Sequence, residues 1–343
     1  MFRALESDLP EGRRLFTDPF ARAFLTWPFT LAARLAAVPG VQELVPRLID
    51  HRWPGVRSSV VARTRLIDDV ILSSLGEPIE QLVILGAGFD SRAYRMPRLR
   101  DITVFEVDHP DTQAAKRRVL MRILSNLPAH VRFVALDFNH QTLDSVMPAA
   151  GYRASARTFI LWEGVTNYLT EAAVDTTLRW CARSAPRSLV LFTYIHRDVL
   201  TNPGAYVGTE RLFATLARAR ETLTFGIDPT ELPAFLAERG LALHSDAGAA
   251  EYRERYFKDA ARTMARPRVL SRGRGPRRCL TAHAAVTPPS TGSAAPVMND
   301  ASSESRNSAA LAISSGLPVR PSGTEPWARF CTSSSGSRPA VDF

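Results

Sequence analysis

The chain is nearly devoid of lysine. Only Lys116 and Lys258 carry an ammonium among 343 residues, so its 43 basic side chains are almost all arginine. Such a bias can reflect genomic base composition as much as function. The basic residues are also dispersed, without the repeated basic and aromatic interleaving that holds single-stranded nucleic acid. The formal net charge of +9 therefore predicts no nucleic-acid partner, and part of it falls in residues 266–343, where ten arginines face four acids. Cysteine is scarce as well. Cys181, Cys279 and Cys331 are too widely spaced for a disulfide framework or a CxxC metal site, so no metal is expected and a reducing cytoplasm fits. Long apolar runs are missing. The stretch 24–41 is interrupted by Pro28, Arg34 and Pro39 and fails as a membrane span, and no secretory signal is visible.

What is present suits a globular α/β protein, since a 45% hydrophobic content supplies a sizeable core. Residues 1–75 read as helices. Asp18-Pro19 resembles an N-cap with proline at the first helical position, and 60–75 carries apolar residues at helical spacing. From Gln81 the period changes. Short apolar runs at 82–85, 102–105, 131–136, 158–162 and 189–194 read as buried parallel strands, with helices between most of them at 111–124 and 171–184. That alternation predicts a doubly wound, mostly parallel sheet. A helix over 229–239 stopped by Gly240 leads to a sixth strand at 241–244, and 279–286 supplies a seventh, after an Arg-rich loop at 266–278. The organisation expected is a helical lid over 1–75, the main domain over 76–286, and a Ser/Pro/Ala/Gly-rich tail over 287–343, too poor in periodic apolar surface to order itself.

The strongest local signal is an apolar strand running into Gly86-Ala87-Gly88. Glycines there let the backbone approach a ligand and adopt positive φ. Asp108 follows Gly88 by 20 residues, past the second strand, where a carboxylate can bind ribose hydroxyls or simply start a helix. Position 91, where a dinucleotide fingerprint needs its third glycine, holds Ser91. A nicotinamide or flavin dinucleotide needs that close helix approach to its pyrophosphate; S-adenosylmethionine has no phosphates and does not. Asp137 and Glu163 end the third and fourth strands. The carboxyl ends of central strands in such a sheet face one ligand crevice.

Together the segments 81–96 (QLVILGAGFDSRAYRM), 104–109 (VFEVDH), 135–138 (ALDF) and 161–169 (LWEGVTNYL) resemble the leucine carboxyl methyltransferase family, whose bacterial branch includes polyketide carboxyl O-methyltransferases. Asp18-Pro19-x-Ala21, Ala62-Arg63-Thr64-Arg65 and Gly226-Ile227-Asp228-Pro229 extend the likeness over roughly 15–286. The resemblance implies a class I, Rossmann-like methyltransferase using S-adenosyl-L-methionine. By position it implies that Arg63 contacts the cofactor's methionine carboxylate, Gly86 and Gly88 form the turn beneath it, Asp108 holds the ribose, Asp137 and Phe138 the adenine, and Glu163 the methionyl amino end. For Arg63 a solvated helix face is the competing reading.

On the acceptor side, Tyr168 and Tyr194 are the candidate catalytic residues, with Asn167 and His196 beside them; Tyr168 could equally be a packing aromatic. Arg92 and Arg95 are read as sheet-edge ion pairs in preference to acceptor-carboxylate ligands. Phe20, Phe24, Trp27 and Trp53 could line an apolar pocket, although packing against the sheet is the use expected of each. The acceptor expected is a carboxylate or hydroxyl of a small metabolite such as a polyketide. A protein C-terminal carboxylate is the alternative. The rivals are a nicotinamide-dependent oxidoreductase and a non-catalytic binding protein that keeps the fold. Oligomeric state is not legible.

Overall fold

The computed structural model describes residues 1–258 and 281–287, except 39, 40, 42, 43, 53, 54, 139, 207, 208, 219 and 220. The apolar runs become β1 (Gln81–Leu85), β2 (Thr103–Asp108), β3 (Val131–Ala135), β4 (Thr158–Trp162) and β5 (Leu189–Ile195). All five are parallel, in the order β3-β2-β1-β4-β5. Two further strands, β6 (Ala242–Ser245) and β7 (Thr281–Thr287), complete one edge, β7 lying antiparallel between β5 and β6. Among the described residues the expected doubly wound, mostly parallel seven-stranded sheet is the one observed, with six strands running one way and β7 against them.

Strand periodicity divides the core. Val83, Phe105, Ile160, Trp162 and Phe192 pack on one face. Their neighbours Leu82, Ile84, Val104, Phe159 and Leu161 pack on the other, against Ala62, Leu66 and Ile67. Alternate residues of an extended strand point to opposite faces, so continuous apolar runs are what a sheet covered on both sides requires.

Among the described residues four α-helices precede the sheet: α1 (Phe2–Ser7), α2 (Trp27–Ala36), α3 (Leu44–Arg52) and α4 (Val56–Ser74). Between strands lie α5 (Arg92–Arg95), α6 (Pro110–Ile123), α7 (Leu143–Val146) and α8 (Glu171–Ala182). After β5 come α9 (Asp198–Thr201), α10 (Thr209–Arg218), α11 (Leu232–Ala237) and α12 (Ala249–Tyr256). Thr170 caps α8, its hydroxyl accepting from the Ala173 N–H at 3.2 Å. Among the described residues no helix is long and apolar enough to cross a membrane.

Three expectations need correction. No helix starts at Asp18-Pro19. The chain instead makes successive three-residue turns, from Ala21 N–H to Asp18 O (3.2 Å), Ala23 to Phe20 (3.0 Å) and Leu25 to Arg22 (3.2 Å). Asp18 does accept from the Phe20 and Ala21 amides, as a cap would. The rings of Phe20 and Phe24, however, pack on Tyr94 and Phe89, which shapes this segment by tertiary contact. The helix expected over 229–239 contracts to α11, because the Asp228 carboxylate first closes a turn on the Thr230 amide at 2.9 Å. Trp27 does not pack against the sheet; it is 74% exposed. The loop at 266–278, the tail from 288 and Trp53 lie outside the described residues.

Candidate cofactor and active site

Strand order reverses between β1 and β4, so the crevice of this sheet opens at their carboxyl ends. β1 ends at Leu85, and Gly86 and Gly88 both take positive φ, 64° and 43°, a conformation that strains any residue with a Cβ. Asp108, the last residue of β2, reaches across to this turn. One of its oxygens accepts the Gly88 N–H and the other accepts the His109 N–H at 2.7 Å. The carboxylate therefore fixes the turn as well as facing it.

Glu163 follows β4 directly. Gly164 turns the chain at φ 69°, and its N–H is held by the Thr193 hydroxyl at 2.6 Å, which fixes where the Glu163 side chain starts. Glu163 Oε1 lies 2.5 Å from Arg63 Nε and Oε2 lies 2.9 Å from Arg92 Nη1. Burial alone would raise the Glu163 carboxyl; the two guanidiniums outweigh it and hold it below the ordinary range. Arg63 projects from α4, only 4% exposed, and its Nη1 has no hydrogen-bond acceptor among the described residues. A buried, unpaired guanidinium donor is costly unless a ligand completes it. The solvated-face reading of Arg63 is thereby overturned.

Arg92 and Arg95 form ion pairs, as expected, but deep in the molecule. Arg92 bonds Asp68 through Nε at 2.8 Å, and also Asp90 and Glu163; Arg95 bonds Asp68 at 2.7 Å. Sequence reasoning missed Asp68 and Asp90. Their only signal was the presence of two arginines just after a glycine turn, which must find anions if the turn is buried. Asp90 also takes the Arg92 N–H at 2.7 Å. The first amide of α5, which faces a pyrophosphate in a dinucleotide fold, is thus already occupied by a carboxylate of the chain itself.

The adenine-side candidates separate. Phe138 is buried and lies near-parallel to Trp162, centroids 6.4 Å apart, whereas Asp137 lies at the rim with His140 Nδ1 at 2.8 Å from its carboxylate. A half-open cleft of about 270 Å³ adjoins Phe138, lined also by Leu143, Ala173, Thr177 and Trp180, but none of Arg63, Gly86, Gly88, Asp108 or Glu163 borders it.

On the acceptor side the structure places Tyr194 in the interior. Its ring is fully buried and its hydroxyl donates to Asp246 at 2.9 Å. Burial first, and Asp246 second, push its ionisation far up. His196 stacks on the Tyr194 ring at 6.4 Å and meets Tyr206 edge-on. Tyr168 is half-buried and packs with Val199, Tyr206 and Leu216, the packing use that the sequence left open. Asn167 is buried, and its carbonyl accepts from Thr224 at 2.8 Å. The Gly-Ile-Asp-Pro motif gains a reason here. A Cβ on Gly226 would meet the Arg197 backbone at 2.9 Å, so only glycine lets Ile227 pair with the end of β5.

A leucine carboxyl methyltransferase family model matches residues 1–182. The chain belongs to that family. It is accordingly an S-adenosylmethionine-dependent methyltransferase of Rossmann-like fold. A Streptomyces coelicolor protein is 35% identical over 204 residues, covering 58% of this chain and 67% of the relative. One from Mycolicibacterium smegmatis is 30% identical over 240 residues, covering 66% and 71%. Both carry the name "putative S-adenosyl-L-methionine-dependent methyltransferase". A solved structure of a protein named "putative methyltransferase" from Thermobifida fusca aligns over 83% of this chain and 93% of its own, at 16% identity and a TM-score of 0.46.

Proposed function

We propose that this methyltransferase transfers its methyl group to an oxygen of a small metabolite, and that the oxygen belongs to a carboxylate. The observation carrying this reading is the state of Tyr194. The Tyr194 phenol, which could have served as a base, donates a hydrogen bond to Asp246 and is kept protonated by burial and by that carboxylate. A hydroxyl acceptor needs a base, whereas a carboxylate is already ionised at neutral pH. A second reading, a hydroxyl acceptor, is favoured by the position of His196 at the end of β5.

In this reading Arg63 binds the methionine carboxylate through its unpaired Nη1, and Glu163 orients the ammonium end beside it. Gly86 and Gly88 let the backbone pass close beneath, Asp108 takes the ribose, and Phe138 and Asp137 flank the adenine. Bound S-adenosylmethionine supplies an electrophilic methyl group on a sulfonium. The chain's contribution is alignment and exclusion of water, and orientation of that kind can supply roughly 7–11 kcal/mol of the barrier. The helical segment 1–75 is assigned the role of lid, and 76–286 that of the catalytic domain. The exposed apolar residues of α2 and α3 support an acceptor with an apolar body, such as a polyketide. A protein chain end stays the alternative acceptor within the class.

The test is to incubate the enzyme with methyl-labelled S-adenosylmethionine and a panel of apolar carboxylic acids and phenols, then treat the products with mild base. Methyl esters release labelled methanol. Base-stable ethers, formed by wild type and lost in His196→Ala, would replace the carboxylate reading with the hydroxyl one.

A further inference from the structure

Ser91 departs from the dinucleotide pattern, and the structure gives its hydroxyl a partner. Ser91 is fully buried, and its Oγ donates to Asp18 Oδ2 at 2.7 Å. Asp18 Oδ2 also meets Arg3 Nη1 at 3.1 Å, with the Asp18 side chain wholly buried. Arg3, on α1, uses Nη2 to bond the carbonyl of Phe89 at 2.6 Å. Phe89 is the residue after Gly88, and its ring carries Phe24 at 5.1 Å. Ser7 ties the same parts together, donating to Arg3 O at 2.7 Å and accepting from the Asp18 amide at 2.8 Å. Residues 1–25 are thus bolted to 88–91 by charged and polar groups, several with no access to water.

The bolt continues inward. Arg95 Nε donates to Ser91 Oγ at 3.2 Å, Arg95 pairs with Asp68 at 2.7 Å, Asp68 with Arg92 at 2.8 Å, Arg92 with Glu163 at 2.9 Å, and Glu163 with Arg63 at 2.5 Å. Every link is a hydrogen bond or ion pair in a poorly hydrated interior, where charge interactions are little screened.

We infer that Arg3, Asp18 and Ser91 are positioning residues for the cofactor: they fasten the N-terminal arm to the cofactor turn, so that arm docking and cofactor binding strengthen one another. The inference rests on the reading that Gly86–Gly88 and the Arg63–Glu163 pair hold the cofactor. None of the three residues needs to touch it. An arm that holds the Phe89 carbonyl restricts the turn to its binding geometry, and by linkage a cofactor that orders the turn favours the docked arm. Contiguity alone is no proof of coupling, so the test must measure coupling directly.

The experiment is calorimetric titration with S-adenosylhomocysteine of wild type, Arg3→Ala, Arg3→Lys, Ser91→Ala and the Arg3→Ala/Ser91→Ala double variant, beside hydrogen exchange of residues 1–25 with and without ligand. The expected result is that each alanine variant binds more weakly, by a factor within the roughly 5–150-fold range of coupled sites. Arg3→Lys should recover part of the loss, the double variant should lose less than the product of the singles, and ligand should slow exchange of the arm in wild type only. Wild-type affinity in both alanine variants, or exchange of the arm indifferent to ligand in a wild type that binds, would overturn the inference alone. Failure of the wild type to bind would overturn the site assignment and the inference together. Arg3 is partly exposed and Ser91→Ala only removes a hydroxyl, so both variants should fold, which the melting curve of each confirms.

Discussion

The central sheet and the α2–α3 hairpin treat apolar side chains in opposite ways. In β1, β4 and β5 every residue is buried, and the bulk of Ile160, Trp162 and Phe192 is spent on the interior. In α2 the residues turned inward are Ala33 and Ala36, while Trp27, Leu31 and Leu35 face outward; in α3, Leu44 and Leu48 do the same. Large apolar groups stabilise a fold only by the area they remove from water. The sheet is therefore held by its own contents, and Arg92, Arg95 and Glu163 at its rim are held in ion pairs. Of the hairpin's large apolar side chains Ile49 is buried, against Leu5 and Ala36, so the exposed ones need another explanation, which an apolar acceptor supplies in the proposed reading.

The sharpest way to break this comparison is at Arg92, where the sheet's buried charges converge. Replacing it with alanine leaves Asp68, Asp90 and Glu163 short of their shared cation in a water-poor site. Removing one partner of a buried pair typically costs about 3–5 kcal/mol. Urea denaturation of Arg92→Ala should show a loss of that size. A loss near zero would mean that water reaches the network and that the rim is not part of the interior.

A smaller effect should appear on acidification. Burial would raise the Asp90 carboxyl, but Arg92, Lys116 and Arg3 outweigh it and hold it at about 2, against an ordinary 3.8. The native state thus binds this proton less readily than the unfolded chain, so the contribution is present above about pH 4 and is lost as pH falls through about 2. Its size is roughly 2–3 kcal/mol at most, from 1.36 kcal/mol per pH unit. Stability measured at pH 7, 4 and 2 should fall chiefly in the last interval for wild type, and less steeply for Asp90→Asn. An equal fall in both would remove Asp90 from the acid response.

The sheet was legible in the sequence because burial on two faces leaves a continuous apolar run, and each predicted run became a strand to within a few residues. The glycine turn and the acids ending β2 and β4 were legible because a parallel sheet places strand ends at one crevice. The segment 18–25 was not. Its Asp-Pro looks locally like a helix start, and only the distant Phe89, Ser91 and Tyr94 reshape it. Tyr194 shows the same limit: strand position predicts its neighbourhood, but the acceptor of its hydroxyl, Asp246, lies 52 residues away. The anions around Arg92 come from α4, the turn and β4, and no local pattern joins those three.

The gentlest probe bears on the hairpin itself. Trp27 is 74% and Leu48 59% exposed, so most of their apolar area is wet in the folded protein as it is in the unfolded chain. Trp27→Ser and Leu48→Ser should each change stability by no more than about 0.5 kcal/mol, the range for surface positions. Ile160→Ala, in the fully buried β4, should cost about 2–5 kcal/mol. Equilibrium denaturation of the three variants makes the comparison directly. If the hairpin variants lose as much as the core variant, those side chains are buried in solution against something, and size-exclusion chromatography of the same variants would show whether that is a second copy. If they lose nothing in stability yet weaken turnover of apolar acids, their exposure serves the acceptor and the inverted packing of α2 is a functional surface.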